Sequence, residues 1–170
     1  MCGICGKLYF SFQTKVDAQL IRRMRDVMIH RGPDESGLYV DHNIGLGHRR
    51  LSIIDLATGQ QPMSNARKDI WIVFNGEIYN FPELRKDLKQ RGYTFLSASD
   101  TEVILHLYDA YGTDCVNYLR GMFAFAIWDQ QFQRLFLARD RVGKKPLFYI
   151  SSPLHAPDRS SGCPSGPLRW

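Results

Sequence analysis

Apolar side chains crowd residues 4–12, with aromatic and small residues among them, and the run breaks at Gln13-Thr14. That pattern predicts a buried N-terminal strand. A strand's period of two would put Cys2 and Ile4 on one face and Cys5 on the other. From Asp17 the period lengthens: Leu20, Ile21, Met24, Val27 and Met28 recur at helical spacing, while Arg22, Arg23, Arg25 and Asp26 fall opposite. An amphipathic helix is expected there, stopped near Gly32-Pro33. Residues 44–54 and 70–74 read as strands separated by a polar loop through Thr58-Gly59-Gln60-Gln61-Pro62. Phe81-Pro82-Glu83 opens a short helix ending at Arg91-Gly92, because a first-turn proline sacrifices an N–H that has no partner inside the helix. Ser99 or Asp100 caps a further helix whose buried stripe is Val103, Ile104, Leu107 and Tyr108, up to Tyr111-Gly112. Residues 121–128 and 134–138 form a hairpin across Asp129-Gln130-Gln131-Phe132-Gln133, and residues 146–150 add a last strand. Strands at both ends with helices between them predict an α+β layered fold.

Composition narrows the class. With 170 residues, 44% hydrophobic and 23% charged, the chain suits one soluble domain with a real core. It contains no apolar run of the roughly 20 residues that span a bilayer, and no secretory signal order at its start, so no membrane association and a cytoplasmic location are expected. The formal charge of +5 does not point to nucleic acid. Its basic residues are interleaved with acids, as in Glu83-Leu84-Arg85-Lys86-Asp87, without a block or an RNA-binding signature. Cys2, Cys5, Cys115 and Cys163 are too few and too irregular for a disulfide framework. Cys2 and Cys5 form a C-x-x-C, yet no second closely spaced Cys or His pair follows to complete a zinc site, so no metal is expected.

The chain opens Met1-Cys2-Gly3-Ile4. Removing Met1 would place a thiol and a free α-amine on the same residue. Such an amine titrates at about 7.7–8.0, so part of it is unprotonated near neutrality and can take the thiol's proton as cysteine attacks a carbonyl. Taken alone, Cys2 is equally an ordinary small residue near a terminus.

Six further blocks change that balance: His30-Arg31-Gly32-Pro33-Asp34, His48-Arg49-Arg50-Leu51-Ser52-Ile53-Ile54-Asp55, Phe74-Asn75-Gly76-Glu77-Ile78-Tyr79-Asn80, Ser99-Asp100-Thr101-Glu102-Val103-Ile104, Gly121-Met122-Phe123-Ala124-Phe125-Ala126 and Arg139-Asp140-Arg141-Val142-Gly143-Lys144-Lys145-Pro146-Leu147. With the opening, from Met1 to about Tyr149, they resemble the glutaminase domain of class II glutamine amidotransferases, and within these the asparagine synthetase branch. The resemblance implies the four-layer α/β/β/α sandwich of N-terminal nucleophile hydrolases. It implies Cys2 as nucleophile, with the Asn75 side chain and the Gly76 N–H as oxyanion hole. Arg50 would hold glutamine's α-carboxylate, Glu77 and Asp100 its ammonium, and Leu51 and Ile54 would complete the glutamine site. Outside that family pattern, Asn75-Gly76 reads as a type I′ hairpin turn, Arg50 as a solvated charge and Asp100 as a helix cap. His30 and His48 could suggest a Cys-His dyad, but a histidine beside an apolar run is more often a packing residue. Lys144-Lys145 lacks P-loop spacing and reads as structural.

At Ser151 the character changes to a run rich in Ser, Pro and Gly with no period. Residues 1–150 are therefore expected to be the glutaminase domain, and residues 151–170 a disordered tail unlike the family. The family's synthetase domain, with its ATP and Mg2+, is not in this sequence, which reads as a truncated member. The glutaminase reaction itself needs no cofactor. The resemblance implies L-glutamine as substrate and a synthetase domain as partner, with ammonia destined for ATP-activated aspartate, and it leaves a homodimer open. Two other readings stand beside it: a catalytically silent glutamine-binding or interaction module, and a non-functional fragment.

Overall fold

The computed structural model describes residues 2–52 and 58–151. Three strands, β1 (Gly3–Leu8), β2 (Glu35–Asp41) and β3 (Ile44–Arg50), form an antiparallel sheet in the order β1-β3-β2, with helix α1 (Ala18–Asp26) between β1 and β2 in sequence. Four more, β4 (Met63–Ser64), β5 (Ile70–Ile78), β6 (Gly121–Asp129) and β7 (Arg134–Arg139), form a second antiparallel sheet in chain order. Helices α2 (Phe81–Gln90) and α3 (Asp100–Tyr111) and a short 3-10 helix (Gly112–Asn117) lie between β5 and β6 in sequence.

Strand alternation sorts the side chains into layers. Ile44 and Leu46 of β3 meet Val73 of β5 and Ala126 and Trp128 of β6, with Ile4 and Leu8 of β1 packed alongside, so the two sheets face each other across one apolar layer. Tyr39 of β2 stacks on Trp71 of β5 with ring centroids 4.2 Å apart, and Gln130 donates to Tyr39 and Asp41 at 2.9 Å, closing one end of the interface. The opposite face of the first sheet carries α1. Cβ atoms added at Gly45 and Gly47 would run into Ile21, so their absence lets the helix seat directly on β3. Behind the second sheet, Ile70, Ile72, Phe74 and Ile78 of β5 pack with Phe123, Phe125 and Ile127 of β6 against Leu84, Leu88, Val103, Ile104, Leu107 and Tyr108 of α2 and α3. Each such fully buried aliphatic side chain contributes about 2 kcal/mol of transfer free energy. The result is the α+β, four-layer α/β/β/α sandwich expected from the resemblance.

Several element boundaries differ from expectation. β1 stops at Leu8, opposite Ile44 where its partner strand begins, and Phe10 and Phe12 lie beyond it, exposed. α1 is capped by Asp17, whose carboxylate accepts from Gln19 N–H at 2.8 Å, and ends at Asp26 rather than near Gly32. Residues after it tighten into i→i−3 bonds, such as Met28 N–H to Arg25 O at 3.0 Å, which turns Val27 outward. Ser99, not Asp100, caps α3, accepting from Thr101 N–H at 3.1 Å. β3 ends at Arg50, and Ile53 and Ile54 lie outside the described residues. β5 runs through Asn75-Gly76 to Ile78, so those two residues are mid-strand and form no hairpin turn. Strand β2 carries no signal in the hydrophobic pattern, and residues 146–150 are not a strand: Phe148 and Ile150 are solvent-exposed. The tail expected at 151–170 falls, beyond Ser151, outside the described residues. No helix among the described residues is long and apolar enough to cross a membrane.

Candidate active site

Cys2 immediately precedes β1, and the alternation that buries Ile4 and Leu8 between the sheets turns Cys2 the same way. Its sulfur is held by the chain just past β3: Leu51 N–H donates to Sγ at 3.4 Å, and Sγ lies 3.8 Å from Leu51 O. Arg31 Nε donates to the Cys2 carbonyl at 3.2 Å, fixing the first peptide unit. Cys5 points to the other face, toward α1, where burial pushes its thiol up to about 11. The two cysteines of the C-x-x-C therefore have different chemistry: one lines a cavity, the other is a packed, unreactive thiol. Cys2, Cys5 and Cys115 are all free.

The cavity, of about 130 Å3, opens between the two sheets and is lined by Cys2, Arg50, Leu51, Asn75, Gly76, Glu77 and Asp100. Every site residue expected from the sequence is thus gathered in one place except Ile54, which lies outside the described residues. Arg50 is buried at the end of β3, with Nη1 on both Glu35 oxygens at 3.1 and 3.0 Å. Its neighbour Arg49 falls on the opposite strand face and pairs with Asp26 of α1 at 2.7 Å. The alternation that separates Cys2 from Cys5 thus also separates these two arginines.

Asn75 is only 4% exposed, and its side-chain amide has no hydrogen-bond partner among the described residues. The amide lines the cavity and is not sealed from solvent, so it can donate to an acceptor brought there. Gly76 offers a second donor. Successive N–H groups on an outer strand edge point alternately to the neighbouring strand and away from it. On the side away from β6, β4 pairs only with Trp71 and Ile72. Beyond that point Phe74 N–H is taken by Gln61 Oε1 at 2.6 Å and Ile78 N–H by Asp100 Oδ2 at 3.0 Å. Gly76 N–H lies between them, without a partner among the described residues. Gly76 must be glycine for space as well, since a Cβ would collide with the Met122 carbonyl and Phe123 on β6.

Asp100 is buried at the start of α3, and burial raises its pKa above the usual carboxylate range; backbone N–H groups oppose that rise, and the charge of Glu77 adds to it. Glu77 is exposed at the rim. Two carboxylates and one guanidinium therefore line the same cavity, a charge set suited to a zwitterion. The described residues contain no cluster of three or more His, Cys, Asp or Glu that could hold a metal ion.

Neither histidine contributes a base to Cys2. His30 Nδ1 contacts Val27 O at 3.2 Å on the surface, and His48, fully buried, contacts Phe74 O at 3.1 Å through Nε2. A carbonyl can only accept, so Nε2 carries the hydrogen and buried Nδ1 is left without a partner. Burial drives the His48 pKa down to about 4, helped by the charge of Arg50 and opposed by the Phe74 bond. Between that value and the ordinary 6.5, the unfolded chain binds the proton and the folded chain does not, so stability falls as pH drops through this window. The full loss is on the order of 3 kcal/mol. Thermal melts from pH 7 to pH 4 are expected to show it, and His48→Gln, which can still donate to Phe74, should flatten the slope. An equal slope in both proteins would contradict this account of His48.

Among the cavity residues not assigned to the site from the sequence are Gln61, Thr101 and Lys145. Lys145, read from sequence as structural, is 4% exposed and lines the cavity. It is set there by Asp140, whose carboxylate accepts from the N–H groups of Phe123, Lys144 and Lys145 at 2.8–3.1 Å. Burial would raise the Asp140 pKa, but those backbone donors outweigh it and hold the carboxyl below its usual range.

Cys2 thus stands at the head of a strand, in a cavity that it lines together with Arg50, Asn75, Gly76, Glu77 and Asp100. The chain belongs to the glutamine amidotransferase domain family, whose pattern matches residues 1–158. It is 47% identical over 151 residues to glutamine-hydrolyzing asparagine synthetase 3 of Bacillus subtilis (strain 168), covering 88% of this chain and 25% of that protein. To synthetase 1 of the same organism it is 48% identical over 153 residues, covering 89% and 24%. The chain thus spans about a quarter of the length of these curated relatives. Among solved structures it is similar to the glutamine phosphoribosylpyrophosphate amidotransferase of B. subtilis, with a TM-score of 0.48 and 25% identity over 59% of this chain and 24% of that chain.

Proposed function

We propose that this domain hydrolyses L-glutamine to L-glutamate and ammonia through a γ-glutamyl thioester on Cys2, exposed by removal of Met1. The observation that carries the reading is that Cys2, Asn75 and Gly76 line one cavity together with Arg50, Glu77 and Asp100, the Asn75 amide and the Gly76 N–H having no hydrogen-bond partner among the described residues. Arg50 takes the α-carboxylate; Asp100 and Glu77 take the α-ammonium; the side-chain amide then reaches the sulfur. The α-amine of Cys2 accepts the thiol proton as sulfur adds to the amide carbon, and the resulting oxyanion is held by Asn75 Nδ2 and Gly76 N–H. The α-ammonium returns its proton to the departing nitrogen, which leaves as ammonia. Water then adds to the thioester, the amine taking its proton, and collapse expels the thiolate and glutamate.

No step calls on a metal or cofactor. In a longer protein with a synthetase domain, the ammonia would pass to aspartate activated by ATP and Mg2+; the names of the relatives, glutamine-hydrolyzing asparagine synthetases, support the glutamine and asparagine ends of this reading and no more. We take residues 1–150 as the glutaminase unit in such an assembly. The test is a stoichiometric assay: one glutamate and one ammonia per glutamine consumed, unchanged by chelator and without ATP. Consumption that requires ATP or a divalent ion would contradict the reading.

The raised pKa of Asp100 sets an expected pH dependence. Ammonium binding needs the charged carboxylate, so KM for glutamine should rise on acidification at a higher pH than an ordinary aspartate would give. Asp100→Asn should raise KM at neutral pH and remove that acid limb. An unchanged limb in the variant would assign it to another group.

A further inference from the structure

Among the described residues no strand covers the edge of β5 that presents the Gly76 N–H, and side chains serve it instead. We propose that Gln61 is a positioning residue for the oxyanion donors, a strut that locks β5 to the start of α3 and to the first sheet.

Its amide is used at both ends. Oε1 accepts from Phe74 N–H at 2.6 Å, two residues before Gly76, and Nε2 donates to Thr101 Oγ1 at 3.3 Å. Thr101 is 1% exposed and follows Asp100, whose own carboxylate closes the edge at Ile78. Gln61 and Asp100 thus bracket Gly76, leaving its N–H alone facing the cavity that both residues line. The main chain of Gln61 is anchored independently: β2 passes so close that a Cβ at Gly37 would collide with the Gln61 carbonyl. One residue therefore spans the sheet that carries Cys2 and Arg50, the strand that carries Asn75 and Gly76, and the helix that carries Asp100. An amide suits this post, because it accepts from a backbone N–H and donates to a hydroxyl at the same time. A shift of the strand would move both oxyanion donors relative to the sulfur; of the substrate-holding residues it would move Glu77, exposed at the rim, and leave Arg50 and Asp100 in place, so the cost should appear chiefly in the chemical step.

The kinetic part of this inference rests on the glutaminase reading; the structural part does not. Gln61→Met keeps the side chain's length and loses both bonds. Gln61→Glu keeps the acceptor for Phe74, and the Thr101 hydroxyl can turn to donate to it. In the full chain, Gln61→Met is expected to lower kcat at least about tenfold with KM within about twofold. Gln61→Glu should return kcat to within about threefold of the parent. Amide exchange at Phe74, read by mass spectrometry or NMR, should quicken in the methionine variant and not in the glutamate variant. Parent-like kcat in a folded Gln61→Met, or a loss expressed in KM, or a loss that Gln61→Glu does not relieve, would overturn the proposal. Should the parent release no glutamate, the glutaminase reading fails, and the exchange measurement alone decides: unchanged exchange at Phe74 in Gln61→Met overturns the strut as well.

Discussion

Cys2→Ala is expected to lower glutamate release by roughly four to six orders of magnitude, the loss typical of removing a nucleophile whose covalent intermediate carries the reaction. Glutamine should still bind with nearly its original affinity, since Arg50, Glu77 and Asp100 are untouched. Cys2→Ser should be almost as inactive, because a hydroxyl is far harder to deprotonate with an amine than a thiol is. Retention of Met1 should have the same consequence by another route. The residue would keep its thiol, but its nitrogen would be an amide with no basicity, and neither His30 nor His48 is placed to substitute. Turnover paired with N-terminal mass analysis checks both points, and normal turnover from Cys2→Ala, or from protein that keeps Met1, would contradict them.

The second large effect separates chemistry from binding. Asn75→Ala should lower kcat by roughly 100- to 1,000-fold, the cost of one oxyanion donor, with little change in KM. Arg50→Ala should instead raise KM by roughly ten- to a hundredfold, the worth of a charge-assisted contact to the substrate carboxylate. It also strips Glu35 of its partner, so a lower melting temperature is expected of that variant and not of Asn75→Ala. A change in KM alone for Asn75→Ala would remove it from the oxyanion hole.

The features legible in the sequence are those that a period carries. Alternation along β1 separates Cys2 from Cys5, and the stripe of Val103, Ile104, Leu107 and Tyr108 marks the buried face of α3. Helical spacing also marks α1, but it extends the element past Asp26, through Val27 and Met28 toward Gly32-Pro33, because the end is set by a tightened turn rather than by an apolar position. β2 gives no such signal: no residue from Glu35 to Asp41 is fully buried, since the strand lies on a sheet edge and among the described residues pairs only with β3. Conversely, Phe148, Tyr149 and Ile150 look like a strand and lie exposed. The candidate site was legible as motifs, through the family resemblance rather than through physics. Asn75-Gly76 by itself argues for a turn, and only the nine-residue pairing of β5 with β6 makes it mid-strand. Gln61 and Lys145 reach the cavity from irregular segments and Thr101 from the first turn of α3, placements that depend on tertiary contacts and that no local spacing announces.

The contrast between Cys2 and Cys5 supplies the most direct test. A diazo-ketone analogue of glutamine, which alkylates a thiolate only when bound as substrate, can be mapped by mass on the peptide from residue 2 to Lys7. The account predicts one label, on Cys2 with Met1 absent, blocked by glutamine and weakened by Arg50→Ala, with Cys5 unmodified because burial holds its thiol protonated. Label on Cys5, or on Cys2 regardless of glutamine, or on protein that still begins with Met1, would contradict a Cys2 nucleophile served by its own amine.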